Sequence, residues 1–179
     1  VVMDAENITD YFKLLEYNMQ KSCPSVELCE KIQEYFKLPD NIKSHCNKVA
    51  HVALDLCGML SEKGISLNQG VVVAAGMLHD IAKGNSLHAK LGAVWLNDMG
   101  YDEIAKIVDE HMELKIIPDT PTEKEVVYLA DKMVKGDKIV SIDERFSDKE
   151  KLYNHDENII KTIKKRKEQA IKLFSMINN

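Results

Sequence analysis

No apolar stretch in this 179-residue chain approaches the ~20 residues that a membrane helix needs, so no membrane partner is expected. The chain lacks an excess of positive charge: its formal net charge is -5. Sequence-independent binding of DNA or RNA runs on clustered Lys and Arg, so no nucleic-acid polymer is expected as a partner. A small phosphorylated ligand stays compatible with that charge, because a bound cation inverts the local field. There is no C-x-x-C pair among Cys23, Cys29, Cys46 and Cys57, which argues against a cysteine zinc site. Hydrophobic residues make up 45% of the chain. That fills a core without disulfide staples, and four free thiols in a reducing cytoplasm are expected. The low-hydrophobicity signature of disorder is absent. The start, Val1-Val2-Met3-Asp4-Ala5-Glu6, has neither the basic nor the long apolar region of a signal peptide. It has no initiator Met either, which suggests the cut edge of a longer protein.

What is present is helical periodicity. All four prolines, Pro24, Pro39, Pro118 and Pro121, stand where helices break. Val26, Cys29, Ile32 and Phe36 form one apolar stripe. Ile42, His45, Val49, Leu56 and Leu60 form another, stopped by Gly64. Ser66 with Gln69 reads as a capping box. The run Val71-Val72-Val73 imitates a strand but continues through Leu78, which favours a buried helix. Ser86 is expected to cap a helix through Leu96, and Asp102 one carrying Ile104, Ile107, Val108 and His111. Thr122 with Glu125 is a second capping box, and Asn154 or Asp156 opens a last helix to about Ile177. No alternating strand pattern is found, and no element is assigned between Ser141 and Tyr153. The expectation is an all-α bundle of about seven or eight helices, one compact domain with a short N-terminal appendage.

Chemistry concentrates in Leu78-His79-Asp80-Ile81-Ala82-Lys83, a His-Asp pair between an apolar helix and the break at Gly84-Asn85. Neighbours on a helix point ~100° apart, so at a helix end the pair straddles a site. The imidazole offers one nitrogen, and the carboxylate bridges through two oxygens, a mixture that divalent transition metals accept. His45 is in phase with Val49 and Leu56, and His111 with Ile107 and Val108. Asp131 sits in Tyr128-Leu129-Ala130-Asp131-Lys132, where an unpaired carboxylate is costly. One such residue taken alone is usually a satisfied core group; several on separate helices point to a metal.

The order His45 … His79-Asp80 … Asp131, in these contexts, resembles the HD superfamily of metal-dependent phosphohydrolases over roughly Val26 to Val134. His88 in His88-Ala89-Lys90-Leu91-Gly92 and His111 resemble the extra ligands of its dinuclear members, such as the HD-type hydrolases of symmetric dinucleoside tetraphosphates. The resemblance implies an HD domain over residues 26–179 and divalent transition metals (Fe, Mn, Zn, Co or Ni), in two ions. One would be held by His45, His79, Asp80 and Asp131, and the other by His88 and His111, with Asp80 bridging. The alternative is one ion, with His88 and His111 supporting it or touching substrate. Lys83 matches the lysine of the family's H-D-x-x-K pattern, a candidate for the chemistry or for phosphate, or else an ordinary solvated lysine. His51 and His155 are not candidate ligands. The segment Val2–Tyr11 is similar to the end of molybdenum-cofactor-type nucleotidyltransferases, which implies that residues 1–25 close a preceding domain.

The activity implied is hydrolysis of a phosphoester or phosphoanhydride in a nucleotide or related metabolite. Two other classes compete: dinuclear-iron oxygenases with the same six ligands, and ligand-sensing modules, whose ligands are usually eroded. The Gly100-Tyr101-Asp102 string lacks the proline of the cyclic-dinucleotide hydrolases. The chain has two arginines, Arg145 and Arg166. Arg166 falls on the seam Ile159, Ile163, Ala170, Leu173 and Ile177, where an apolar residue is expected. It either holds substrate phosphate or lies along the core edge with its guanidinium in water. Oligomeric state is not legible.

Overall fold

The computed structural model describes residues 23–179. The expected transferase-like tail at Val2–Tyr11 lies outside them. Among the described residues the chain forms eight helices: α1 (Val26–Tyr35), α2 (Asp40–Glu62), α3 (Gln69–Leu78), α4 (His88–Asp98), α5 (Asp102–Glu110), α6 (Glu123–Lys132), α7 (Ile142–Leu152) and α8 (Glu157–Asn178). The architecture is all-α, as the periodicity requires. One correction is a small antiparallel hairpin after α6, with β1 (Val134–Lys135) paired to β2 (Lys138–Ile139). Two-residue strands are too short to leave an alternating pattern in a sequence.

Helix α3 is the centre. Seven of its ten residues, Val71, Val72, Ala74 to Leu78, are buried, and it packs on α1, α2, α5 and α6. Asn68 caps it, its side chain accepting from the Val71 N–H. The expected Ser66–Gln69 box is therefore wrong: Asn68 directly precedes the helix and competes successfully for the same orphan donors. At the other end the orphan carbonyls are taken by side chains. Gln33 donates to Met77 O (2.6 Å), and His79 Nδ1 lies 2.8 Å from Gly76 O. That satisfaction lets the chain leave α3 straight into the turns that carry His79 and Asp80.

Helix α2 ends as expected at Gly64, whose φ of 80° is in the left-handed region. Ile65 N bonds Leu60 O and Gly64 N bonds Ser61 O, the paired closure of a Schellman motif. The Thr122–Glu125 capping box and the Asp156 cap form as expected. Two starts differ. Leu87, not Ser86, precedes α4, because the chain runs through consecutive turns from His79 to Gly84 before it. Tyr101 precedes α5, and Asp102 is its first residue, where its charge still suits the helix N-terminus. Ser141 caps α7, whose one buried residue, Phe146, explains the missing stripe. No helix among the described residues is long and apolar enough to cross a membrane. The four cysteines are unpaired, and burial pushes the Cys29 thiol up to about 12, so it stays protonated.

Helices α2 and α3 touch backbone to backbone at Gly76, where an added Cβ would stand 2.7 Å from Ala50 Cα. Gly76→Ala should therefore cost roughly 1–3 kcal/mol through overpacking. Gly58 lies in the same α2 with open space around it, and Gly58→Ala should add about 0.5–1 kcal/mol through helix propensity. Urea unfolding midpoints of the two variants, moving in opposite directions, check the packing.

Candidate metal centre

Five elements deliver six side chains to one place. His45 lies in α2, His79 and Asp80 follow α3, His88 is the first residue of α4, His111 follows α5, and Asp131 is next to last in α6. His79, Asp80 and His111 are almost fully buried, and Asp131 is 4% exposed. The Asp80 carboxylate stands in the middle. Its Oδ2 is 3.5 Å from His79 Nε2, while its Oδ1 is 3.3 Å from His88 Nε2 and 3.5 Å from His111 Nε2. Asp131 Oδ1 faces His45 Nε2 at 3.1 Å and His79 Nε2 at 3.7 Å. Two donor groups result, His45–His79–Asp80 and Asp80–His88–His111, each with ligand atoms within 4.8 Å of one another. They share Asp80, and Asp131 adjoins the first.

The backbone aims the rings. His45 Nδ1 lies 2.8 Å from Gly136 O, His79 Nδ1 2.8 Å from Gly76 O, and His111 Nδ1 2.7 Å from Val108 O. Each carbonyl accepts an Nδ1–H, which turns Nε2 toward the centre, the orientation that metal-binding histidines use. Four atoms that converge there, His79 Nε2, Asp80 Oδ1, His88 Nε2 and His111 Nε2, are buried without a hydrogen-bond partner. An unsatisfied buried polar atom costs roughly 1–3 kcal/mol, so four of them around one point is an arrangement that cations relieve. The nitrogen and carboxylate donor set fits divalent transition metals.

Protonation agrees with that use. Burial holds the His79 pKa down at about 4 against the pull of Asp80 and Asp131, leaving a neutral ring with a free lone pair. His88 is lowered too, by burial and by His111. Burial alone would raise Asp80, but His79, the proximity of His111 and Lys83 outweigh it and keep the carboxylate ionised. Asp131 likewise stays ionised despite burial, through Lys132, His45, His79 and Arg145. His45 alone moves upward: burial opposes its charge, but Asp131 and the Gly136 carbonyl prevail. A metal held by His45 and Asp131 would require the neutral ring, so binding there would be coupled to proton release.

Lys83 reaches the centre, its Nζ 2.8 Å from Asp80 Oδ2. Arg166 lines the adjoining hollow with its Nε 3.2 Å from Glu113 Oε2; it is neither buried in the seam nor loose in water. His51 and His155 are exposed and stand outside the two donor groups. Three cations of this place were not anticipated. Lys132 is buried, with Nζ 2.6 Å from Asp131 Oδ2 and 2.9 Å from His111 O. Arg145 Nη2 is 3.7 Å from Asp131 Oδ1. Lys149 lines the hollow, within the field of Asp131 and Arg145. The scarcity of arginine marked Arg145 as much as Arg166, and Lys132 stands inside an otherwise buried run; Lys149 left no mark.

Metal analysis of the purified protein checks the centre. We expect two ions per chain. Asp80→Ala should lose both and His88→Ala or His111→Ala about one, as a two-metal site requires, while His51→Ala keeps both. Full occupancy in the His88 and His111 variants would remove them as ligands.

The sequence profile of the HD domain family matches residues 42–136, a span that begins just before His45 and ends just after Asp131. An uncharacterized protein of Methanocaldococcus jannaschii is 29% identical over 142 residues, covering 69% of this chain and 84% of that protein. No solved structure gives a significant match. With more than half of the chain under that profile, and the His-Asp cluster assembled inside the matched span, the chain belongs to the HD domain family.

Proposed function

We propose that this domain hydrolyses a phosphoester or phosphoanhydride of a nucleotide or related small metabolite, using two divalent transition metals. The observation that carries the reading is the charge of the hollow above the centre. Lys83, Lys132, Arg145, Lys149 and Arg166 line it, against the carboxylates of Asp80 and Asp131. That surplus of cations precedes any metal, and it matches a polyanion.

Metals held here would supply Lewis acidity to a phosphoryl oxygen and acidify a water toward neutral pKa. The chain's own residues do the rest. Asp80 spans both donor groups and fixes their spacing. Lys149 is exposed as a residue, but local desolvation and the neighbouring Arg145 lower its pKa against the pull of Asp131, and an ammonium beside like charges gains from a phosphate next to it. Arg166, steadied by Glu113, presents a planar fork suited to two phosphate oxygens. Lys83 is tied to Asp80, beside the donor groups, where its ammonium would neutralise charge on the oxygens of the phosphoryl group. No covalent nucleophile is required. The dinuclear-iron oxygenase reading shares the ligands but leaves the surplus of five cations over two carboxylates in this hollow without a polyanion to meet.

Phosphate release from a nucleotide panel with manganese, without oxygen, tests the reading. Turnover is expected; no release with any metal, alongside oxygen consumption by the iron-loaded protein, would replace it. In Arg166→Lys and Lys149→Met the KM should rise about tenfold or more, since a hydrogen bond to a charged group carries ~1.5–3 kcal/mol. Metal content should not change. Unaltered kinetics in both variants would take phosphate binding away from this wall.

A further inference from the structure

Of the cations at the hollow, Lys132 is the one that is buried, at 4% exposed. A lysine is rarely buried unless its ammonium is paired. Sequence adjacency to Asp131 does not provide that pairing, because consecutive residues on a helix point ~100° apart. The Lys132 side chain nonetheless turns back. Its Nζ lies 2.6 Å from Asp131 Oδ2 and 2.9 Å from His111 O. The Tyr128 ring, one turn earlier on α6, flanks the ammonium at 4.8 Å, within cation–π range. Tyr128 is itself fixed, its hydroxyl donating to Arg166 O at 2.8 Å.

The two acceptors belong to different donor groups. Asp131 points Oδ1 at His45 Nε2 and His79 Nε2, and Lys132 takes the other oxygen, so Oδ1 is left for the first group. His111 directly follows α5, and its carbonyl is one of those a helix end leaves without an internal partner. The His111 ring belongs to the second group. One ammonium therefore joins the first group to the second from behind. Charge does not explain its presence. Asp80 and Asp131 are the only carboxylates of the donor set, and a further cation buried beside them opposes metal binding by Coulomb repulsion. What Lys132 contributes is position.

We propose that Lys132 is a positioning residue that locks the Asp131 carboxylate and the His111 backbone to each other, and so sets the separation of the two cation sites. It acts through these two acceptors rather than on substrate, while its charge adds to the field of the hollow. The inference rests on the two-metal reading of the centre and goes beyond it: the same six ligands without this lysine would hold their ions more loosely and without a fixed spacing.

The test compares wild type, Lys132→Met and Lys132→Arg. Methionine fills similar space without a donor; arginine keeps the charge and can donate to both acceptors. Manganese titration followed by electron paramagnetic resonance gives the affinity for each ion. It also shows whether the two ions are spin-coupled, as ions that share a bridging ligand are. Neither readout needs turnover, and thermal midpoints of the metal-free proteins check folding. In Lys132→Met the weaker ion should bind roughly 10–100-fold less tightly, the usual cost of losing a partner that orients a ligand, and the coupled signal should fade. Lys132→Arg should restore most of both. Wild-type affinity and coupling in Lys132→Met, tighter binding there from the removed charge, or a Lys132→Arg variant no better than Lys132→Met overturns the inference and leaves the two-metal centre standing. So does a manganese-loaded wild-type crystal in which Lys132 Nζ has left Asp131 or His111, a measurement that holds even where the Met variant does not fold. A wild type that binds no second ion overturns the two-metal reading, and this inference with it.

Discussion

One buried carboxylate is what the rest of the centre answers to. Asp80 sits almost without solvent, with one oxygen toward His79 and the other toward His88 and His111. A buried anion must be compensated, and here compensation comes from His79, His111 and Lys83, with His88 of α4 beside the same carboxylate, and against the like charge of Asp131. The fold arranges this through α3, a helix so apolar that it can only be central. Its C-terminus then delivers His79 and Asp80 to the middle of the molecule. The close approach at Gly76 is part of the same device: it brings α2, with His45, within reach of the end of α3.

The orientation of the rings depends on the backbone rather than on other side chains. Gly76, Val108 and Gly136 each offer a carbonyl to an Nδ1. Two of these carbonyls lie three residues before the histidine they hold, so local geometry suffices. The third reaches His45 across 91 positions of sequence. It comes from the turn of the small hairpin, at a glycine with a φ of 62°. The hairpin adds almost nothing to the core, yet it holds a ring of the first donor group in place.

Much of this was legible in the sequence, for physical reasons. Periodicity gave the helices because one face of each is buried, and the Thr122–Glu125 box was readable because both partners are local. The His79-Asp80 pair stood out against an apolar helix, and His45, His111 and Asp131 stood out as polar residues in buried phase. The misses follow the same logic. Ser66 and Ser86 looked like caps, but the choice among nearby caps is made by where the preceding turn ends, which Asn68 and the run of turns after His79 decide. The hairpin was too short to register. Lys132 belongs to the centre because the end of α6 meets the chain after α5 at His111 O, and Arg145 and Lys149 because α7 brings them to the hollow beside Asp131, tertiary facts that no local pattern carries.

Two cations flanking Asp80 are the central claim, and anomalous diffraction from crystals soaked in manganese tests it most directly. Two peaks about 3.5–4 Å apart are expected, the spacing typical of two-metal hydrolytic sites. One peak should lie among His45, His79 and Asp131, the other between His88 and His111, with the Asp80 carboxylate between them. A single peak, or peaks only at surface carboxylates, would contradict it.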